Sequence, residues 1–363
     1  MARMRSVLVA CVVLAACTPP RVGVVPRFPD DRLLSVGVTD NGGGAPKSAA
    51  VVNLKFKDAT ASESTIAAIR FEQAPTVDGD AAEWAAASPS TVALVAPWDA
   101  IGMSRAQWDA EWQLAFGRVD GPADAVEQVN VRAGFDDEYV YFLLDWADAV
   151  ENSRRGEWRH DGTSFKPSAE DEDRAYLSFA IAAPPGFEAL GCAAACHVRE
   201  RLGEVTPEAK AFRFQMHTSA PGELVDIWHW KAARTNPQGF ADDQHWDHER
   251  RKADGPLDFA FVNRTAADAG VDQPLFMAEG GLGVNPRAVF AGDAGSVRAV
   301  PFDGTGAIAG MTIPGWVQQR ASPERADVRA VGVWAGGRWT VEFARKLETA
   351  DPKDAQFPLT ERK

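Results

Sequence analysis

Cysteine is scarce in this sequence of 363 residues, which contains four. Cys11 and Cys17 lie near the N-terminus, whereas Cys192 and Cys196 form a close pair in the middle of the chain. Small exported proteins that depend on disulfides carry several cysteine pairs distributed along the chain. The cysteine count therefore excludes a disulfide scaffold and leaves the central pair to be explained.

Positive charge is also in deficit. Lys plus Arg total 38 against 51 Asp plus Glu, which gives a formal net charge of −13. A field of that sign repels the phosphates of nucleic acids and of anionic membrane surfaces, and it attracts basic proteins. We therefore expect neither nucleic acid nor an anionic lipid surface to be a direct partner.

Sequence motifs of catalysis are missing as well. The chain has no G-x-S-x-G, no phosphate-binding loop, no dinucleotide fingerprint and no defensible pair of catalytic carboxylates. His245, His248 and Glu249 do not follow the spacing of zinc proteases, so we expect residues 245–249 to form a solvated, charge-rich loop. The acidic run Asp136–Glu138 is expected to be an exposed hairpin turn. These absences predict that the chain is not itself an enzyme.

The N-terminus has the features of an export signal. Two arginines precede an apolar run over residues 7–14, and small residues precede Cys17. This pattern is typical of a secretory signal that is too short to span a bilayer. Leu14–Cys17 also resembles a bacterial lipobox, which predicts removal of residues 1–16 and lipid attachment to Cys17; a plain signal peptide cut elsewhere is the alternative. Thr18, rather than Asp, follows the cysteine, which by the same resemblance favours the periplasmic face of the outer membrane.

The rest of the chain divides into two parts. Residues 17–50 are rich in Pro, Gly, Asp and Ala and predict a flexible tether, and residues 51–363 predict one folded domain. Helical periodicity is limited to Ser104–Phe116. Short alternating segments separated by Gly and Pro turns predict a mainly β chain, an antiparallel β-sandwich of the immunoglobulin or carbohydrate-binding-module type with long loops. The candidate strands are Val51–Phe56, Val129–Phe135, Tyr139–Trp146, Arg174–Ile181, Leu224–Lys231, Asp327–Trp334 and Arg338–Lys346.

The central cysteines belong to the stretch Gly191–His197, in which His197 directly follows Cys196. Two thiols followed by an imidazole is the arrangement that attaches haem c, here with one residue more than the usual C-x-x-C-H. The cysteines would form thioethers with the haem vinyl groups, and His197 would bind the iron. A local disulfide or a partial metal site are the alternatives. The cysteine count favours haem, because Cys11 would leave with the signal and Cys17 would carry lipid.

A second axial ligand is expected downstream of this motif. Alternation along Leu224–Lys231 places His229 and Lys231 on one face of the strand. Met216 is a rival, because it shares a face with two phenylalanines and thioether sulfur is a good ligand for haem iron. We expect His229 or Met216 to be the distal ligand, with Lys231 third and His217, on the polar face, less favoured.

Several stretches together resemble a known family. They are Phe71–Trp84, Val131–Tyr141, Gly191–His197, Asp226–Pro237, Ala241–Gln244 and Trp339–Leu347. From about Ile69 to Leu347 the chain is similar to the haem-binding domain related to the gamma subunit of ethylbenzene dehydrogenase. The first two stretches are also similar to carbohydrate-binding modules of the same sandwich type.

The resemblance implies a β-sandwich that encloses one haem and conducts electrons. The family's gamma subunit binds a b-type haem through Met and Lys, which the resemblance carries to Met216 and Lys231. The present chain departs from it at Cys192, Cys196 and His197, which imply covalent attachment. The resemblance also implies a further strand near the C-terminus, where this sequence stops at Lys363.

Two hypotheses from different classes follow. The first is a lipid-anchored monohaem c-type cytochrome that faces the periplasm and transfers electrons to or from a redox partner, a molybdenum oxidoreductase or another cytochrome. The alternative is a sandwich module without haem that binds a carbohydrate or another small ligand, with Cys192 and Cys196 as a disulfide. The 12 tryptophans suit an aromatic-lined pocket and a sugar-binding face equally well.

Overall fold

The computed structural model describes residues 31–39, 47–48, 52–55, 65–96, 104–107, 126, 128–187, 191, 194, 217–266 and 269–359. Strands dominate this part of the chain, which confirms the predicted mainly β class. Of the predicted helix Ser104–Phe116, residues 105–107 are helical, and the part after residue 107 lies outside the described residues. None of the helices in the described ranges is long and apolar enough to cross a bilayer.

The strands are short and numerous. In chain order they are β1 Asp31–Thr39, β2 Lys47–Ser48, β3 Val52–Lys55, β4 Thr65–Arg70, β5 Ser90–Ala93, β6 Gln128–Phe135, β7 Tyr139–Ala147, β8 Trp158–His160, β9 Phe165–Pro167, β10 Arg174–Ala182, β11 Leu224–Lys231, β12 Asp242–Trp246, β13 Arg251–Ala253, β14 Ala260–Val262, β15 Phe276–Ala278, β16 Val289–Phe290, β17 Ala299–Pro301, β18 Thr312–Ile313, β19 Trp316–Gln318, β20 Arg329–Ala335 and β21 Arg338–Lys346. Two short 3₁₀ helices, Ala81–Trp84 and Asn236–Gln238, interrupt the connections.

Of these strands, 13 join into one long sheet. Its order is β13-β12-β11-β10-β1-β3-β4-β6-β7-β21-β20, with β2 paired to β1 and β5 to β6. Most neighbours are antiparallel, but β3 with β4 and β4 with β6 are parallel. The remaining described strands form three small sheets, β8 with β9 and β18, β14 with β16 and β19, and β15 with β17.

The two halves of the long sheet pack face to face. Phe142 of β7 contacts Trp228 of β11 with ring centroids 5.8 Å apart, and Trp146 lies 6.4 Å from Trp230 across the same interface. Alternate side chains from both halves fill one continuous apolar core. The fold is therefore the predicted β-sandwich.

Tryptophan supplies much of that core. Trp146 and Trp339 stack at 6.4 Å, and Trp230 meets Trp339 edge-on at 5.0 Å. The fully buried tryptophans of the described chain are Trp84, Trp146, Trp158, Trp228, Trp230 and Trp339. These six rings build the interior and are not available to a sugar-binding face.

Two of the predicted hairpins are confirmed. Asp136–Glu138 separates β6 from β7, and the Asp136 carboxylate accepts the backbone N–H groups of Glu138 and Tyr139, both at 2.7 Å. Gly336 and Gly337 separate β20 from β21, whose register pairs Val333 with Thr340. Period-two alternation combined with a local turn signal predicted these elements because both act within a few residues of chain.

The predicted tether requires a correction. Residues 31–39 form β1, which pairs with both β10 and β3 inside the long sheet, and Leu34 is fully buried. The Pro and Gly content of residues 17–50 favoured a tether, but the alternation of Leu34, Val36 and Val38 determines the structure here. The tether prediction is wrong for β1.

Candidate functional site

Strand β11 separates two different environments. Asp226, Trp228 and Trp230 point into the main core or towards its edge, and each is at most 1% exposed. Val225, Ile227 and His229 point to the other side, as the alternation of the sequence predicts. The element that was expected to supply an axial ligand is therefore a strand with the predicted bounds and faces.

The outer side of β10, β11 and β12 forms a continuous surface, which we call the His229 face. Its residues are Tyr176, Ser178, Val225, Ile227, His229, Gln244 and Trp246. Antiparallel register places Tyr176 opposite His229 and Val225 opposite Trp246. Side chains of neighbouring strands in such registers lie about 5 Å apart, so the face is one compact surface.

The predicted haem motif reaches this surface through Ala194. Ala194 lies between the two central cysteines in sequence, is 9% exposed, and packs in one cluster with Tyr176, Phe187, Val225, Ile227 and Trp246. The described part of the motif therefore lies on the same face of the sheet as His229. Cys192, Cys196 and His197 themselves lie outside the described residues, as do Met216 and Cys17.

Within the described part of the chain, three buried polar atoms on the His229 face have no hydrogen-bond partner. They are Ser178 Oγ, Gln244 Oε1 and Trp246 Nε1. Buried polar groups are nearly always paired, because an unpaired one costs about 1–3 kcal/mol. These atoms leave hydrogen-bonding capacity on the His229 face beside an apolar cluster.

His229 has the chemistry of a metal ligand. Its ring is partly exposed and meets Tyr176 edge-on at 6.3 Å. No hydrogen bond to its imidazole occurs among the described residues. Burial of most of the ring lowers the pKa of His229 well below its usual value, and the positive charges of Lys231 and Arg251 lower it further. The imidazole is therefore neutral near pH 7 and has a free nitrogen lone pair.

Lys231 is held in a different way. Its ammonium forms a buried ion pair with Asp242 and lies 5.0 Å from the ring centre of Phe259. Burial lowers the pKa of Lys231 to about 7. Asp242 also accepts a 2.6 Å hydrogen bond from Arg325 Nε and one of 2.6 Å from Gln244 Nε2. To bind a metal, Lys231 would have to leave this network.

Two histidines differ from their predicted surroundings. His245 was expected in a solvated loop, but it lies in β12, is 6% exposed and contacts the carboxylate of Asp254. That prediction is wrong for His245 and Trp246, whereas His248 and Glu249 are exposed as expected. His217 was placed on a polar face, but it is buried, with Nδ1 2.7 Å from the carbonyl oxygen of Thr218.

A second buried charge network, centred on Glu172, was not predicted. Glu172 is fully buried and accepts the backbone N–H groups of Ala233 and Arg234 at 2.9 and 3.0 Å. The guanidinium groups of Arg234, Arg174 and Arg155 outweigh the effect of burial and lower its pKa. The network fixes the turn after β11 next to the start of β10. The sequence signal was the acidic run before β10, which is also typical of an exposed loop.

The His229 face fits a haem in its donor set. It offers a neutral imidazole and, among the described residues, an unpaired indole N–H at Trp246, whereas Val225 and Ile227 are covered by their own cluster with Phe187 and Ala194. Imidazole is a common axial ligand of haem iron, and the macrocycle needs apolar contacts together with polar partners for its propionates. These residues would accept the group that the Cys192–His197 motif predicts.

Comparison with known proteins decides the relationship. Residues 81–362 match the model of the family described as ethylbenzene dehydrogenase. The chain belongs to that family. The match includes the whole His229 face, the stretch from Cys192 to Lys231 and strands β5 to β21, so the family assignment covers the candidate site and most of the sandwich. Among curated proteins, no match was found.

Proposed function

We propose that this member of the ethylbenzene dehydrogenase family is a monohaem c-type electron-transfer protein. Cys192 and Cys196 would hold the haem as thioethers, and His197 and His229 would bind the iron. When bound, haem supplies a site for reversible one-electron oxidation. The observation that carries the proposal is the contact of Ala194 with the apolar cluster of the His229 face, beside a neutral imidazole.

The protein's own residues would position and tune the group. Tyr176 restrains the His229 ring, and Trp246 Nε1 offers a hydrogen bond from the same face. The ion pair with Asp242 would keep Lys231 from binding the iron. The positive charge of Arg251, which acts on His229, would disfavour the additional charge of oxidised iron. We therefore expect this side of the pocket to raise the reduction potential.

No general acid or base is needed for this role. A protein that relays electrons leaves bond-making to its partner, so we propose that the chain is not an enzyme by itself. The family relation suggests association with an oxidoreductase complex. We propose a redox protein as the partner, either a molybdenum oxidoreductase or another cytochrome.

Charge predicts how that partner docks. A chain with a net charge of −13 attracts a basic surface. Salt screens this attraction between exposed charges, and the screening length is about 8 Å at physiological ionic strength. The second-order rate of electron transfer to a basic partner should therefore fall as ionic strength increases. A rate that does not depend on salt would argue against electrostatic docking.

We propose, from the resemblance of Leu14–Cys17 to a lipobox, that the protein lies in the cell envelope. Cys17 would carry the lipid, and the folded domain would face the periplasm at the outer membrane. Labelling of cells with a radioactive fatty acid should mark the wild-type protein and not the Cys17→Ser variant. Equal labelling of both would contradict lipid attachment at Cys17.

The axial ligand is tested by reduced-minus-oxidised visible spectra of protein matured with the c-type machinery. His229→Ala should change the spectrum, and Met216→Ala should leave it unchanged. The exposed His248 provides a matched control, because His248→Ala removes an imidazole outside the pocket. A change in Met216→Ala alone would transfer the distal position to Met216, and absence of a Soret band in the wild type would contradict haem binding altogether.

A further inference from the structure

A cluster of carboxylates lies on the opposite side of β12 from the His229 face. Asp243 of β12, Asp327 before β20 and Asp354 in the C-terminal loop meet there, and each places one carboxylate oxygen within 4.8 Å of the others. Asp243 is 1% and Asp354 4% exposed. Three chain segments that are distant in sequence therefore bring negative charge to one buried point.

Among the described residues, one buried cation, Arg345, lies next to this cluster, and its closest ion pair is with a different carboxylate, that of Asp226. Its Nη1 lies 2.8 Å from Asp226 Oδ2, and its Nη2 donates to the carbonyl of Ala355. The same Nη1 is 3.7 Å from both Asp243 Oδ2 and Asp354 Oδ1, beyond hydrogen-bonding distance. A single guanidinium paired closely with Asp226 does not neutralise three further carboxylates.

The hydrogen bonding of Asp243 points to a missing partner. Among the described residues, neither oxygen of its buried carboxylate accepts a hydrogen bond from an N–H or hydroxyl group, and Asp327 Oδ1 is buried without such a donor as well. The carboxyl of Asp327 itself lies within hydrogen-bonding reach of Asp243. Burial of an unpaired carboxylate is costly, so buried charges are normally paired or coordinate a metal.

The spacing matches a hard divalent cation. Calcium binds oxygen ligands at about 2.3–2.6 Å, so two oxygens on one ion lie at most about 5 Å apart. The three oxygens of the cluster satisfy this limit. Three carboxylates can supply up to six oxygens, which suits the flexible coordination of Ca²⁺ better than the strict octahedron of Mg²⁺.

A neighbouring acidic group is less suitable. Asp254, Asp351 and Asp354 also approach one another, but Lys353 Nζ lies 3.2 Å from Asp254 and 3.0 Å from Asp351. The imidazole of His245 contacts Asp254 as well. Because these carboxylates have cationic or hydrogen-bonding partners of their own, Asp254 and Asp351 do not need a metal.

We propose that Asp243, Asp327 and Asp354 form a structural Ca²⁺ site. The ion would link β12 to the residues that precede β20 and to the C-terminal loop, and so brace the sandwich from the side opposite the His229 face. This site is independent of the proposed haem function. The alternative arrangement is a proton shared between Asp243 and Asp327, which would need no metal.

The site is tested on the full purified protein after treatment with a chelator. Tb³⁺ replaces Ca²⁺ in oxygen sites, and Trp228, which lies directly across the strand register from Asp243, can sensitise its luminescence. We expect saturable Tb³⁺ luminescence that Ca²⁺ displaces. We also expect Ca²⁺ at a concentration 100-fold above its dissociation constant to raise the melting temperature by roughly 5 °C.

Variants distinguish the cluster from weak surface binding. Asp327→Asn should lower the Ca²⁺ affinity at least about tenfold, because a charged ligand is lost from the ion. Asp272→Asn changes an exposed aspartate that pairs with Arg264 and should leave the affinity unchanged. The melting temperature of the wild type, measured with Ca²⁺ and with chelator, keeps the test valid if Asp327→Asn folds poorly. The proposal would be overturned in favour of the shared proton by a melting temperature that depends on pH but not on Ca²⁺, together with no displaceable Tb³⁺. This outcome can be read whether or not the protein binds haem.

Discussion

In the buried group of Lys231, Asp242 and Arg325, we predict that removing the acid lowers the free energy of unfolding more than removing the lysine does. Asp242 is 1% exposed and stands between two cations, and it accepts hydrogen bonds from Lys231 and from Arg325. Asp242→Asn leaves both cations buried without their shared carboxylate. Removal of one partner from a buried pair typically destabilises a protein by about 3–5 kcal/mol, and we expect a loss in that range.

Lys231→Met should cost much less. Asp242 would keep Arg325 Nε at 2.6 Å and Gln244 Nε2 at 2.6 Å, so the remaining carboxylate stays paired. The loss of one charge-assisted hydrogen bond costs about 1.5–3 kcal/mol. This loss is offset because the ammonium no longer has to be buried, a cost that is evident in the lowering of its pKa to about 7. We expect a net loss below about 2 kcal/mol.

The free energies of unfolding would be measured by urea denaturation at pH 7, with tryptophan fluorescence as the signal. Arg264 and Asp272 form an exposed pair, and Asp272→Asn as a control should cost at most about 1 kcal/mol. The double variant K231M/D242N should be more stable than Asp242→Asn alone. Equal losses for the two single variants would refute this description of the network. A changed haem spectrum in Lys231→Met would do so too, because it would place Lys231 on the iron.

Three further predictions concern pH, packing and a buried hydrogen bond. The pKa of Lys231 is about 7 in the folded protein against 10.5 as its ordinary value, so the unfolded chain binds more protons between these pH values. Stability should therefore rise with pH across this window, and Lys231→Met should reduce that slope in urea titrations. A Cβ on Gly332 would overlap the ring of Trp230, so Gly332→Ala should lower the free energy of unfolding by about 1–3 kcal/mol. A Cβ on Gly283 meets no atom, so Gly283→Ala should be nearly neutral. Equal shifts of the melting temperature in the two variants would contradict this prediction. Trp84→Phe removes a 2.6 Å hydrogen bond from the indole to Glu342, and calorimetry should show a loss of about 1.5–3 kcal/mol rather than none.

The strands with local signals were predictable from the sequence. Strand β11 has the predicted bounds, and the hairpin of β6 and β7 has the predicted turn, because alternation and turn residues act over short distances. The two faces of β11 follow from the same alternation, which is why the environment of His229 could be predicted before its neighbours were known.

Strand β12 could not be predicted in this way. Its five residues, Asp242–Trp246, are all buried although four of them are polar or charged. Their partners are distant in sequence: Arg325 for Asp242, and Arg345 near Asp243. Hydrophobic periodicity carries no information about such pairs, so for His245 and Trp246 the sequence indicated a solvated loop where the structure has the end of a buried strand. The sheet position of β1 was hidden for a related reason, because its partner β10 lies far along the chain.

The central claim is that haem is covalently attached at Cys192 and Cys196, and its most direct test is acid–acetone extraction. Protein produced with the c-type maturation machinery should retain its haem in the precipitated polypeptide, and the variant C192S/C196S should not. Haem that is released from the wild type, or a wild type without haem whose two thiols form a disulfide, would contradict the account and favour a ligand-binding sandwich.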